Sequence, residues 1–201
     1  MKNLILSSKL INDEHKSLGV FIDFDLINYF KKLNYNLIFY PDIKKLNKIK
    51  FHGIVLSGGN DLSIIKKNNI NKIRDDYENK LLDYALRNSK KILGICRGFQ
   101  FINTYFGEKL KKSVSREKYH NIIFTKKIFK IKMNDKICVN SFHNYKIYKT
   151  SDNFIDISTE ADNSIEIAIS KNKKILCTMF HPERFNKSQA KINQIIKSFF
   201  K

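Results

Sequence analysis

The chain reads as an α/β protein, and three features carry that reading. Short apolar runs alternate with stretches whose apolar residues recur at helical spacing. One run, Lys91–Ile95, passes into a helical pattern over Gln100–Phe106, where Phe101, Ile102, Tyr105 and Phe106 share a spacing. Between strand and helix stands Cys96, bracketed by Gly94 and Gly98.

Taken in order, Asn3–Ser7 reads as a strand, Ile22–Leu33 as a helix and Asn36–Tyr40 as a second strand. Gly53–Leu56 is an apolar strand that ends in the turn Ser57-Gly58-Gly59-Asn60-Asp61. The helix over Arg74–Arg87 carries Ile73, Tyr77, Leu81, Leu82, Tyr84 and Ala85 on or near one face, which predicts a core stripe opposed by a solvated face. Ser113–Asn134 is lysine-rich and less regular, with a strand pair expected at Asn121–Thr125 and Ile128–Met133. Cys138 opens a strand that closes in the polar cluster Asn140-Ser141-Phe142-His143-Asn144-Tyr145. Lys174–Thr178 is a further strand, followed by Met179-Phe180-His181-Pro182-Glu183. Ser188–Phe200 closes the chain as a helix with Ile192, Ile195, Ile196 and Phe199 inward.

Three of these segments carry chemistry. A reactive side chain at a strand-to-helix corner sits on a strained turn above the sheet edge. It also lies at a helix N-terminus, where unpaired N–H groups favour thiolate over thiol. His181 and Glu183 are two residues apart, so an extended backbone would put them on one side. The carboxylate would then orient the imidazole and stabilise its protonated form. The Gly58-Gly59 turn can offer backbone N–H groups with no side chain in the way. Together with the N–H of Arg97, the residue after Cys96, such donors form an oxyanion hole. Read singly, a buried structural cysteine, a salt-bridged surface histidine and a plain turn are the default for each.

The set LSGGNDL, RDDYENKLLDYAL, KILGICRGFQFINTYFGEKL, VNSFHNYKI, ADNSIEIAI and MFHPERF, in that order, resembles the class I glutamine amidotransferases. The branch is that of the γ-glutamyl hydrolases, the peptidase C26 type, and the likeness runs from about Gly53 to Phe185. It implies a flavodoxin-like three-layer α/β sandwich with a mostly parallel central sheet and a nucleophile elbow, as a single domain over residues 1–201. It further implies Cys96 as nucleophile, His181 as base and Glu183 as its orienter, with an oxyanion hole from Arg97 and Gly58 or Gly59. Gln100 and the loop Asn140, Ser141, Phe142 and His143 match the positions that hold the α-amino and α-carboxylate end of the γ-glutamyl group. The activity implied is hydrolysis of a γ-glutamyl amide through a cysteine thioester, with no cofactor and no metal. The alternative is a glutaminase subunit that supplies ammonia to a separate synthase partner. Three positions depart from the family pattern: Gly107-Glu108 for Gly-Gly, His143-Asn144-Tyr145 for His-His-Gln, and Met179 for Gln. With the short length, they resemble a narrower subgroup of capsule assembly whose substrate is nucleotide-linked. Arg184, Lys146 or Arg116 would supply a basic pocket for its diphosphate.

Thirty-eight Lys and Arg against 19 Asp and Glu give a net charge of +19. The lysines are spread singly and in pairs along the whole chain, without a basic block, so no nucleic-acid partner is expected. A positive field that draws in an anionic small molecule fits better. No apolar run reaches the length of a membrane span, and three cysteines without framework spacing point to a reducing cytoplasm. Cys138 and Cys177 read as core residues, and His15, His52 and His120 as structural or surface ones.

Overall fold

The computed structural model describes residues 1–113 and 118–201. The first part of the chain forms β1 (Lys2–Ser7), β2 (Lys9–Asn12), β3 (Leu18–Phe21), α1 (Phe24–Lys32), β4 (Tyr35–Phe39), β5 (Gly53–Leu56), α2 (Asn69–Arg87), β6 (Lys91–Ile95) and α3 (Arg97–Tyr105). The second part forms β7 (Lys111–Lys112), β8 (Tyr119–Phe124), β9 (Lys136–Asn140), β10 (Tyr145–Lys146), β11 (Phe154–Thr159), β12 (Ile165–Ser170), β13 (Ile175–Thr178) and α4 (Gln189–Phe200). Nine strands make one mixed sheet in the order β4-β1-β5-β6-β13-β12-β11-β8-β9. The first five run parallel, and the strands beyond β13 alternate in direction.

Strand periodicity builds the layers. Leu4, Leu6, Val55, Leu93, Ile95 and Leu176 face one side of the sheet, where Leu26 and Phe30 of α1 and Ile192, Ile195, Ile196 and Phe199 of α4 cover them. Their neighbours Ile5, Ile54, Leu56, Ile92, Ile175 and Cys177 face the other side, under Leu81, Leu82 and Ala85 of α2 and Phe99 and Ile102 of α3. Both faces are buried, which is why the parallel strands read as unbroken apolar runs. Asn68 caps α2 by accepting from the N–H of Asn71 at 2.7 Å. Asp25 in the first turn of α1, with Lys31 and Lys32 in its last, complements the helix dipole.

The register brings the carboxyl ends of the parallel strands level. Ser7 pairs with Leu56, Leu56 with Gly94, and Ile95 with Thr178. The turns that follow β5, β6 and β13 therefore open on one crevice, the usual ligand position in open α/β sheets.

Two local expectations differ from the structure, and one hairpin has no counterpart among them. Ile128–Met133 is not a strand; Ile128 and Ile131 form one isolated bridge, and the partner of β8 is β9. The polar run Asn69–Lys72 belongs to α2, because the Asn68 cap starts the helix five residues before Arg74. The β2–β3 hairpin has no clear apolar alternation, since Leu18, Val20 and Phe21 all stay 44–48% exposed.

The closest backbone approach lies where α3 crosses β5. A Cβ on Gly98 would run into the carbonyl oxygen of Leu56, and one on Gly94 would lie 2.7 Å from Ile102 Cδ1 and 3.0 Å from the Gly98 backbone. Gly98→Ala is expected to cost about 3 kcal/mol, the upper end of the overpacking range, read as a lowered urea midpoint.

Candidate active site

Cys96 follows β6 directly and stands at the N-cap of α3 with φ 52° and ψ −103°. This is a strained conformation for a residue with a Cβ. Its N–H donates to Thr178 O at 2.8 Å, and its carbonyl accepts from Gln100 N–H at 3.0 Å. The cysteine is thus fixed by β13 on one side and by its own helix on the other.

His181 arrives from β13 and is held by a reciprocal clamp. Its N–H donates to Asn140 Oδ1 at 2.9 Å, while Asn140 Nδ2 donates to His181 O at 2.8 Å. Asn186 Nδ2 donates to the same carbonyl at 3.0 Å, and Asn186 Oδ1 accepts from Asn140 N–H at 2.8 Å. His181 Nδ1 meets Glu183 Oε1 at 2.7 Å, and His181 lines the same cavity as Cys96. A turn at Pro182–Glu183, not an extended segment, brings this His and Glu together. Burial pushes the imidazole down, but the charges of Glu183 and Cys96 and their hydrogen bonds outweigh it, and His181 is raised to about 10.

The Ser57–Gly59 turn is fixed from behind. Buried Arg74 donates to Ser57 O at 2.7 Å, Gly58 O at 3.1 Å and Gly59 O at 2.6 Å. In a trans peptide the N–H opposes the C=O, so the N–H groups of Gly58, Gly59 and Asn60 turn away from Arg74. Gly59 and Asn60 line a cavity of about 200 Å³ together with Cys96, Arg97 and His181. Gly59 has φ +79°, and a Cβ on Gly58 would collide with His181 Cε1. Glycine is therefore required at both places for different reasons.

Arg74 belongs to a buried group of four charges. Its Nε donates to Glu78 Oε1 at 2.9 Å, and the Arg97 guanidinium binds both Glu78 and Asp75. Ser7 Oγ adds a bond to Glu78 Oε1 at 2.7 Å. Burial raises the Glu78 carboxyl, but Arg97 and Arg74 pull harder and hold it below the usual carboxylate range. The core stripe expected on α2 is therefore partly ionic: Arg74 and Glu78 are 0% exposed, whereas Ile73 is 37% exposed.

The other expected site residues divide. Gln100, Phe142 and His143 line the cavity with Cys96, joined by Asp61, Asn144, Tyr145 and Arg184. Gln100 Nε2 donates to Tyr145 O at 3.3 Å. Asn140, expected on the substrate side, is fully buried beneath the site, its amide engaged by the His181 backbone. Ser141 opens on a neighbouring cavity beside Lys118. Lys146 is not a pocket cation: it pairs with Glu160 and with Asp162 at 3.0 Å and is 7% exposed. Arg116 lies outside the described residues. Of the two proposed cations among the described residues, Arg184 lies at the cavity, with its guanidinium 4.7 Å from the Phe142 ring centroid. His120 is buried beside fully buried Glu166, 3.4 Å from His120 Nε2, and Glu166 also lies 3.7 Å from His143 Nε2.

Comparisons with known proteins place the chain's family and fold. The family model described as Peptidase C26 matches residues 41–183. A γ-glutamyl-CDP-amidate hydrolase of Campylobacter jejuni is 35% identical over 133 residues, which are 66% of this chain and 62% of that protein. One subunit of the glutamine-hydrolysing GMP synthase of Methanococcus aeolicus is 29% identical over 163 residues, 80% of this chain and 77% of that one. A solved glutamine amidotransferase of Thermotoga maritima superposes with a TM-score of 0.67 at 15% identity, covering 98% and 95% of the two chains, a likeness of fold alone. No helix among the described residues is long and apolar enough to cross a membrane.

Two measurements probe the site's construction. Glu78→Ala leaves two buried guanidiniums without their shared carboxylate and is expected to cost about 3–5 kcal/mol in urea unfolding. In Cys96→Ala, His181 loses one of the charges that raise it, so its NMR titration midpoint falls below that of the unmodified protein.

Proposed function

The chain belongs to the peptidase C26 family, and from that membership and the site geometry we propose that it hydrolyses a γ-glutamyl amide through a thioester on Cys96. It is an amide hydrolase of the glutamine amidotransferase type; the residue roles and the substrate are the proposal. The observation that carries it is the grouping of Cys96 and His181 on one cavity at the mouth of the parallel sheet, with His181 Nδ1 2.7 Å from Glu183 Oε1.

The Cys96 thiolate adds to the γ-carbonyl carbon, and the N–H groups of Gly59, Gly58 and Arg97 stabilise the oxyanion. His181 gives its proton to the leaving nitrogen as the C–N bond breaks, leaving the γ-glutamyl thioester. The neutral imidazole then takes a proton from water, whose oxygen attacks the thioester. Glutamate departs, and the thiolate and imidazolium are restored. Glu183 holds one tautomer throughout. Gln100 and the 142–145 loop hold the amino-acid end of the substrate.

The substrate we favour is γ-glutamyl-CDP-amidate, cleaved with water to glutamate and cytidine diphosphoramidate. The 35% identity to the Campylobacter hydrolase and Arg184 at the cavity support it. The likeness to the GMP synthase subunit favours a second reading, a glutaminase feeding a synthase partner.

Glutamate release from glutamine, simple γ-glutamyl amines and γ-glutamyl-CDP-amidate separates the two. Fast turnover of the nucleotide compound with little from glutamine is the expected result. Cys96→Ala is expected to lower release at least ~1000-fold with unchanged circular dichroism, and Glu183→Gln to lower it less. A folded, fully active Cys96→Ala protein would overturn the mechanism.

A further inference from the structure

The cavity that holds Cys96 has a neighbour, and the two meet at His181. The neighbour, of about 140 Å³, is lined by Ser8, Lys9, Phe21 and Asp23 on one wall and by Ser57, Gly58, Glu183 and Arg184 on the other. Gly59, His181 and Arg184 line both cavities, whereas Cys96 and Gln100 line only the first. A general acid must reach the leaving nitrogen, so that nitrogen sits against His181. With the glutamyl portion among Gln100, His143 and Tyr145, the group attached to the nitrogen continues past His181 into the second cavity.

That cavity is bracketed by two cations. Lys9 lies on β2 with its stem packed on the oxyanion turn: a Cβ built on Gly59 would stand 3.2 Å from both Lys9 Cβ and Cδ. Its ammonium is 5.4 Å from the centroid of the Phe21 ring, which is 47% exposed. Arg184 enters from the turn after His181. Asp23 Oδ2 lies 3.4 Å from Arg184 Nη2, with side chains 39% and 35% exposed, a solvent-screened contact that leaves most of the guanidinium's donors without a partner among the described residues. Asn60 ties the hairpin to the turn by exchanging bonds with the Leu10 backbone at 2.9 and 3.0 Å, which fixes Lys9 relative to His181.

We propose that Lys9 and Arg184 form an anion subsite for a phosphoryl group carried on the leaving nitrogen. The inference rests on the proposed hydrolysis at Cys96 and assigns the chemistry of the leaving side. The cavity suits the first groups beyond the scissile nitrogen, and a nucleoside attached to them extends over the hairpin toward Phe21. Ammonia, the leaving group from glutamine, has nothing to place there, so the subsite discriminates between the two substrates.

The test combines binding and turnover. Inorganic pyrophosphate is titrated calorimetrically into Cys96→Ala protein, alone and combined with Lys9→Gln, Arg184→Gln or the distant exposed Lys197→Gln. Lys9→Gln keeps the Cβ and Cγ atoms that pack on Gly59 and removes the charge. The subsite requires that Lys9→Gln and Arg184→Gln each weaken pyrophosphate at least ~10-fold while Lys197→Gln does not. With Cys96 intact, the same two substitutions should lower kcat/KM for γ-glutamyl-CDP-amidate at least ~10-fold more than for glutamine. Absence of pyrophosphate binding, an equal loss in all three variants, or equal loss on both substrates would overturn it. If pyrophosphate binds through Lys9 and Arg184 but the protein leaves γ-glutamyl-CDP-amidate intact, the cytidine substrate is wrong and the anion subsite stands.

Discussion

Arg74 and Arg97 share the Glu78 carboxylate inside the protein, and much of the site's geometry hangs on that arrangement. One arginine reaches the three carbonyls of the glycine turn; the other is the residue that follows Cys96. Glu78 also takes the Ser7 hydroxyl at the end of β1. A single carboxylate therefore links the ends of three strands and the first turn of α3. Two charges of each sign are present, counting Asp75, so the buried group is neutral as a whole. Desolvating it is costly, and replacing such buried ions by an apolar core of similar volume is often neutral or stabilising. What the ions add is direction. They hold the carbonyls of the turn on one side, which leaves the N–H groups for the other.

The same arrangement explains what was and was not legible in the sequence. Parallel strands buried on both faces show themselves as apolar runs, and β5, β6 and β13 were readable within a residue or two. The Cys96 corner was readable because two close backbone approaches require Gly94 and Gly98. His181 and Glu183 were readable as a pair, though the turn that joins them was not. The ionic face of α2 was hidden by the rule that charge means solvent. Its signal was present: Arg74, Glu78, Leu81, Leu82 and Ala85 follow the i, i+4, i+7, i+8, i+11 spacing of one face. The clamping role of Asn140 and Asn186 was hidden for another reason. Their work is to bind backbone across 41 and 5 residues of chain, and nothing in a local pattern reports such a contact. The β2–β3 hairpin escaped because it buries little, so no apolar face marks it.

In the proposed reaction, the charge on Cys96 also orders the proton transfers. Before acylation, Cys96 and Glu183 together keep His181 protonated, the form needed to donate to a leaving nitrogen. Acylation neutralises the sulfur, so one of the two charges supporting the imidazolium disappears as the proton leaves with the amine. Burial, which opposes the charged ring, then meets only Glu183, and the imidazole becomes a better base for water at the step that needs one. The acid and base roles thus alternate without any movement of the ring. A ring free to swing would lose this coupling. The clamp from Asn140 and Asn186, and the contact of Gly58 beneath Cε1, keep it within reach of both partners.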